Sequence, residues 1–96
     1  MTTIVRVEHS VGDFDAWKQM FDSDPLGRKR SGVKQYRILR PIENPKYVMI
    51  DLEFDNPGSA ESFREALKKM WSSPDAQKFM INPQVRIVNQ VERQEL

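Results

Sequence analysis

Arg6 and Glu8 stand two residues apart, as do Asp51 and Glu53, each pair within a stretch where apolar and polar side chains alternate. A spacing of two puts both members of a pair on one face of a β-strand. Charges gathered there are costly to bury alone, so they must neutralise one another, reach water or surround a polar ligand. Paired structural charges are the commoner outcome. Arg37 and Arg86 fall on the same face by the same count, and so does Tyr47, whose hydroxyl can donate or accept a hydrogen bond. The candidate ligand-contacting set is therefore Arg6, Glu8, Arg37, Tyr47 and Asp51, joined by Trp17 and Trp71 from apolar stripes at helical spacing.

His9 is the single histidine, and its near-neutral pKa suits proton transfer, which makes it the one candidate catalytic residue. A lone histidine on an apolar alternation ordinarily packs and bonds to backbone, and no second base stands at a spacing that would serve it. Ser72 and Ser73 read as helix caps, since no histidine is placed to activate either as a nucleophile. Arg28-Lys29-Arg30, with Lys34 nearby, reads as a solvated basic turn.

Composition narrows the classes of function. Fifteen basic and fourteen acidic side chains leave a net charge of +1, so no overall field draws the chain to nucleic acid or to an anionic membrane. The absence of cysteine excludes disulfides, iron-sulfur clusters and thiolate zinc sites. One histidine and no carboxylate cluster give no metal site, and no cofactor is expected. The start of the sequence, Met1-Thr2-Thr3-Ile4-Val5-Arg6, lacks the apolar run of a signal peptide, and no segment reaches membrane-spanning length. The expectation is a cytoplasmic protein.

The elements that must position these residues follow from periodicity. Residues 3 to 11 alternate as a two-faced strand with Val5, Val7, His9 and Val11 on one side. Gly12 breaks it, Asp13 can cap a helix, and Phe14, Trp17 and Phe21 recur at helical spacing until Pro25 interrupts, with a further short turn through Leu26 that Gly32 closes in a left-handed conformation. Residues 33 to 40 and 47 to 54 read as strands joined by a hairpin at Pro41 and Asn44-Pro45. Asn56-Pro57-Gly58-Ser59 starts a second helix with Ala60, Phe63, Leu67, Met70 and Trp71 on its apolar side. Ser73-Pro74-Asp75 starts a short third helix that turns Ala76, Phe79 and Met80 inward and that Asn82-Pro83 closes. Residues 84 to 91 supply the last strand, with Val85, Ile87 and Val91 on one face.

Two strand-helix-strand units meeting at a hairpin make a single α+β domain over residues 1–96, a ferredoxin-like βαββαβ sandwich with a four-stranded antiparallel sheet and helices on one face. Val48, Ile50, Leu52 and Phe54 should face the helices. The opposite face then collects Ile4, Arg6, Glu8, Gln35, Arg37, Leu39, Tyr47, Met49, Asp51, Glu53, Arg86, Val88 and Gln90. It is neither a dry core nor a plain solvent face. A register that sets Glu8 beside Met49 also sets Arg6 beside Asp51. Ile4, Leu39, Tyr47, Met49 and Val88 would be left as an exposed patch in a monomer, so a homodimer is expected.

The segment Val11-Gly12-Asp13-Phe14-Asp15-Ala16-Trp17-Lys18, then Phe21-Asp22 and later Ser73-Pro74-Asp75, resembles the dimeric α/β-barrel superfamily that includes antibiotic-biosynthesis monooxygenases and small polyketide cyclases. The resemblance spans nearly the whole chain. It implies two sheets facing each other as a dimeric barrel, and a pocket between sheet and helices or within the barrel. It implies binding of a small organic molecule, with cofactor-independent monooxygenase or cyclase activity on an aromatic or polyketide-like compound. The alternative is a non-catalytic dimeric module that binds a metabolite or a protein. Haem-degrading relatives resemble this chain in a helix-two tryptophan, matched by Trp71, but use a histidine after the first strand region that this sequence lacks. An RNA-recognition motif would want stacking aromatics where Arg6, Glu8, Asp51 and Glu53 stand.

Overall fold

The computed structural model describes residues 2–96. Its elements are β1 (Thr3–Ser10), α1 (Phe14–Asp22), β2 (Gln35–Leu39), β3 (Tyr47–Phe54), α2 (Pro57–Trp71), α3 (Pro74–Gln77) and β4 (Ile81–Asn89). The four strands form one antiparallel sheet in the order β2-β3-β1-β4. This is the ferredoxin-like βαββαβ arrangement expected from the sequence. Val5 and Val7 of β1 and Val48, Ile50, Leu52 and Phe54 of β3 pack with Trp17 of α1, Ala60, Phe63 and Leu67 of α2, and Ala76 and Met80. The core therefore lies between one sheet face and the helices.

Local chemistry starts the helices where the sequence reading put them. The Asp13 carboxylate accepts the Asp15 and Ala16 amides, Asn56 accepts the Ser59 amide ahead of Pro57, and Ser73 accepts the Ala76 amide. Each cap satisfies amides that have no partner within the helix.

Several boundaries differ from the sequence reading. Helix α1 stops at Asp22, and residues 23–34 form a chain of turns with positive φ at Asp24, Gly27 and Gly32. Strand β2 is shorter at both ends, because the Val33 amide bonds to the Arg28 carbonyl inside that turn system and Pro41 follows Arg40. Strand β4 begins at Ile81 and takes in Asn82-Pro83, which therefore does not close α3. A proline is tolerated there because β4 is an edge strand, and the pairing with β1 shifts register between Glu8 and Ser10. The same strand ends at Asn89, so Val91 leaves the sheet and stands 94% exposed.

Candidate functional site

The seven residues proposed as ligand-contacting divide between the two faces of the sheet. Trp17 and Trp71 join His9 at a cavity between sheet and helices, whereas Arg6, Glu8, Arg37, Tyr47 and Asp51 gather on the open face.

On the open face the register is Arg6 with Asp51 and Glu8 with Met49, as expected. One row crosses all four strands as Arg37, Asp51, Arg6 and Arg86. Arg6 forms a two-pronged ion pair, Nε donating to Asp51 Oδ1 at 2.8 Å and Nη2 donating to Oδ2 at 2.9 Å. Arg37 adds a third bond to the same carboxylate at 3.3 Å and lies 3.5 Å from Glu53 Oε2. These bonds, with Arg6 foremost, hold the Asp51 carboxyl below its usual range and push the Arg6 guanidinium higher. Tyr47 donates to Glu8 Oε1 at 3.0 Å, and because ionisation would lose that bond its phenol pKa is raised, with burial and the Glu8 charge adding to the effect. The Asp51 side chain is only 3% exposed while that of Arg6 is 45% exposed, so the arginines lie over the carboxylates as a polar lid. The apolar patch expected here is smaller than the sequence suggests. Ile4 is already buried, lying between Glu53 and Val88 on the neighbouring strands, and Leu39 is the member left well exposed.

The other face holds the cavity. It has a volume of about 60 Å³ and is partly open to solvent. Val7, His9, Ile50 and Leu52 form its floor, and Trp17, Met20, Phe63, Leu67, Met70, Trp71 and Met80 form its walls. His9 is buried at the end of β1, its ring edge-on to Trp17 with centroids 5.6 Å apart. Its Nδ1 lies 3.1 Å from the Ser10 carbonyl, which can only accept, so the neutral ring carries its proton there. Burial lowers the His9 pKa, outweighing the raising effect of that bond. The Nε2 lone pair is then the basic site of a ring that lines the cavity, and it makes no hydrogen bond among the described residues. Trp71 also lines this cavity, and its buried Nε1–H has no acceptor among the described residues.

Sequence reasoning missed Arg28. Lys29 and Arg30 are exposed, as a solvated turn requires, but the Arg28 side chain is only 16% exposed and lies at the cavity edge. It donates from Nη1 to the Phe21 carbonyl at 2.7 Å, and its guanidinium sits 4.0 Å from the Phe21 ring centroid and 4.9 Å from that of Tyr36. A spacing of seven from Phe21, across the turn forced by Pro25, was the only signal that could have placed it there.

Comparison with known proteins fits this architecture. No family model and no curated protein sequence matches the chain. Solved structures do. A protein from Bordetella bronchiseptica assigned as an antibiotic biosynthesis monooxygenase superposes with a TM-score of 0.74 at 18% identity, over 95% of this chain and 98% of that one. SnoaB, a cofactor-independent oxygenase from Streptomyces nogalater, superposes with a TM-score of 0.68 at 15% identity, over 96% and 94%. A dimeric ferredoxin-like protein from an uncultured marine organism gives 0.64 at 11% identity, over 99% and 98%. The chain shares their fold. The resemblance drawn from the Val11–Lys18 segment therefore holds at the level of architecture. Among the described residues no helix is long and apolar enough to cross a membrane, and no three His, Asp or Glu side chains are grouped so as to hold a metal ion.

Proposed function

We propose that the protein is a homodimer whose sheet-helix cavity binds a small aromatic or polyketide-like compound, and that it acts on that compound by cofactor-independent oxygenation or cyclisation. The supporting observation is that His9, with its basic Nε2, and Trp71, whose Nε1–H has no acceptor among the described residues, line a chamber that is apolar apart from Asp24 and Arg28 at its edge. Such a chamber suits an apolar ring system bearing a hydroxyl or carbonyl oxygen. The neutral imidazole can take the proton of a phenol or enol, and the indole N–H can bond to an oxygen of the same ligand. Oxygenation of a hydroxyarene consumes dioxygen and yields a quinone and water, the arene itself supplying the electrons. SnoaB lends the catalytic part its precedent.

A second reading, a dimeric module that binds a metabolite without transforming it, is favoured by the sole hydrogen bond of His9 among the described residues being to backbone. Titration with 1-naphthol, followed by the emission of Trp17 and Trp71, tests what both readings share. Saturable quenching that weakens in Leu67→Phe, which narrows the cavity, is expected. Oxygen uptake with a polycyclic hydroxyarene, lost in His9→Gln, would select the enzyme, whereas binding without uptake selects the module.

A further inference from the structure

Among the cavity's charged neighbours, Arg28 stands where the apolar chamber meets an outer groove. Asp24 and Arg28 line both spaces, and the groove continues past Lys29, Lys34 and Tyr36. Its charged lining is three cations to one carboxylate, in a chain whose net charge is only +1. Lys34 is paired with Asp55 at 3.3 Å. Arg28 is held more firmly than a surface arginine, packed against the adjoining Phe21 and Tyr36 rings and fixed to the Phe21 carbonyl through Nη1. Its only carboxylate neighbour among the described residues, Asp24, is 3.6 Å away. Asp24 spends a shorter bond on the Arg28 backbone amide, 2.8 Å, from a residue at φ +54°. The remaining guanidinium donors, Nε and Nη2, make no hydrogen bond among the described residues.

A preoriented, under-neutralised guanidinium at the rim of an apolar chamber is a receptor for an anion attached to an apolar body. We infer that the ligand of this cavity is an organic acid, its ring system inside and its carboxylate on Arg28 at the mouth. The inference rests on the cavity being the binding site, and it adds the charge and the orientation of the ligand. The structural role of Arg28, bonding a carbonyl near the C-terminal end of α1, predicts no preference between charged and neutral ligands.

Paired titrations of 2-naphthoic acid and 2-naphthamide at pH 7, read by calorimetry, separate these roles. The two probes share a ring system and differ in charge. Wild type should bind the acid about tenfold more tightly, as a charge-assisted bond allows. Arg28→Gln should erase that preference while leaving the amide bound as before, and Arg28→Lys should keep part of it. Asp24→Asn retains an acceptor for the Arg28 amide and suits positive φ, so it folds. It should tighten acid binding about two- to fivefold by removing the competing charge, with the amide unmoved. Equal affinity of wild type for acid and amide would overturn the inference while leaving the cavity reading intact. Equal losses for both probes in Arg28→Gln would reduce Arg28 to a wall residue. Binding of both probes undiminished in Leu67→Phe would instead sink the cavity itself.

Discussion

At His9 the cost of desolvating an imidazolium keeps the ring neutral at pH values where a free histidine would begin to charge. The folded-state pKa is depressed, so below the ordinary value near 6.5 the unfolded chain binds the proton that the folded chain refuses. Stability should therefore be complete above about pH 7 and decline as pH falls from about 6.5 toward the lower folded value. Urea unfolding at intervals from pH 8 to 5 measures this, and His9→Gln should flatten the decline in that window. A wild-type curve already flat from pH 8 to 5 would mean that the ring is not held neutral by burial. At Arg28 the same principle of environment over residue type applies. A basic triplet reads as solvent-exposed, yet its first member is the one that two aromatic rings take up.

Between elements, the pairing of β1 with β3 decides which charges meet. The register sets Arg6 against Asp51, and the carboxylate is buried although its main partner is half exposed. Removing Arg6 leaves Asp51 with Arg37 alone at 3.3 Å, so Arg6→Ala should cost about 1–2 kcal/mol, less than for a fully buried pair. Asp51→Ala frees two arginines that water can reach and should cost less than Arg6→Ala. The double mutant should recover about 1 kcal/mol relative to the sum, measured by chemical denaturation as a double-mutant cycle. Strict additivity would mean that the two side chains do not pair in solution. The caps at Asp13, Asn56 and Ser73 are legible in sequence because each depends on residues within three positions of itself.

For the whole molecule, the open sheet face is where a second copy would add most. It presents three arginines and three carboxylates, half-buried Tyr47, Met49 and Val88, exposed Leu39, and one buried Glu53 oxygen without a hydrogen bond among the described residues. A small domain gains stability by covering such a face, and mixed charge lets one surface complement its own copy. The expected mass in light scattering at micromolar concentration is that of a dimer, twice 11.3 kDa. Met49→Asp, beside Glu8 at the middle of the face, should shift it toward monomer while circular dichroism stays unchanged. A monomeric wild type would remove the dimeric part of the proposed function and leave the cavity untouched.

Element order and sheet faces were determined by the sequence alone, because period-two alternation, caps and hairpin signals all act over a few neighbouring residues, whereas the Arg6–Asp51 register also needed β1 and β3, 45 residues apart, to pair. The candidate site was legible only as two unconnected halves. Alternation assigns Arg6 and His9 to opposite faces, but nothing local says that His9, Trp17 and Trp71 enclose a chamber, since that depends on how three elements far apart in the chain fail to fill the space between them. The start of β4 at Ile81 and the retreat of Val91 into solvent follow from pairing with β1 across more than seventy residues. The place of Arg28 depends on the turns after Pro25 folding its side chain back onto Phe21 and onto Tyr36 of a different strand. Those positions are decided by packing, which tertiary structure alone supplies.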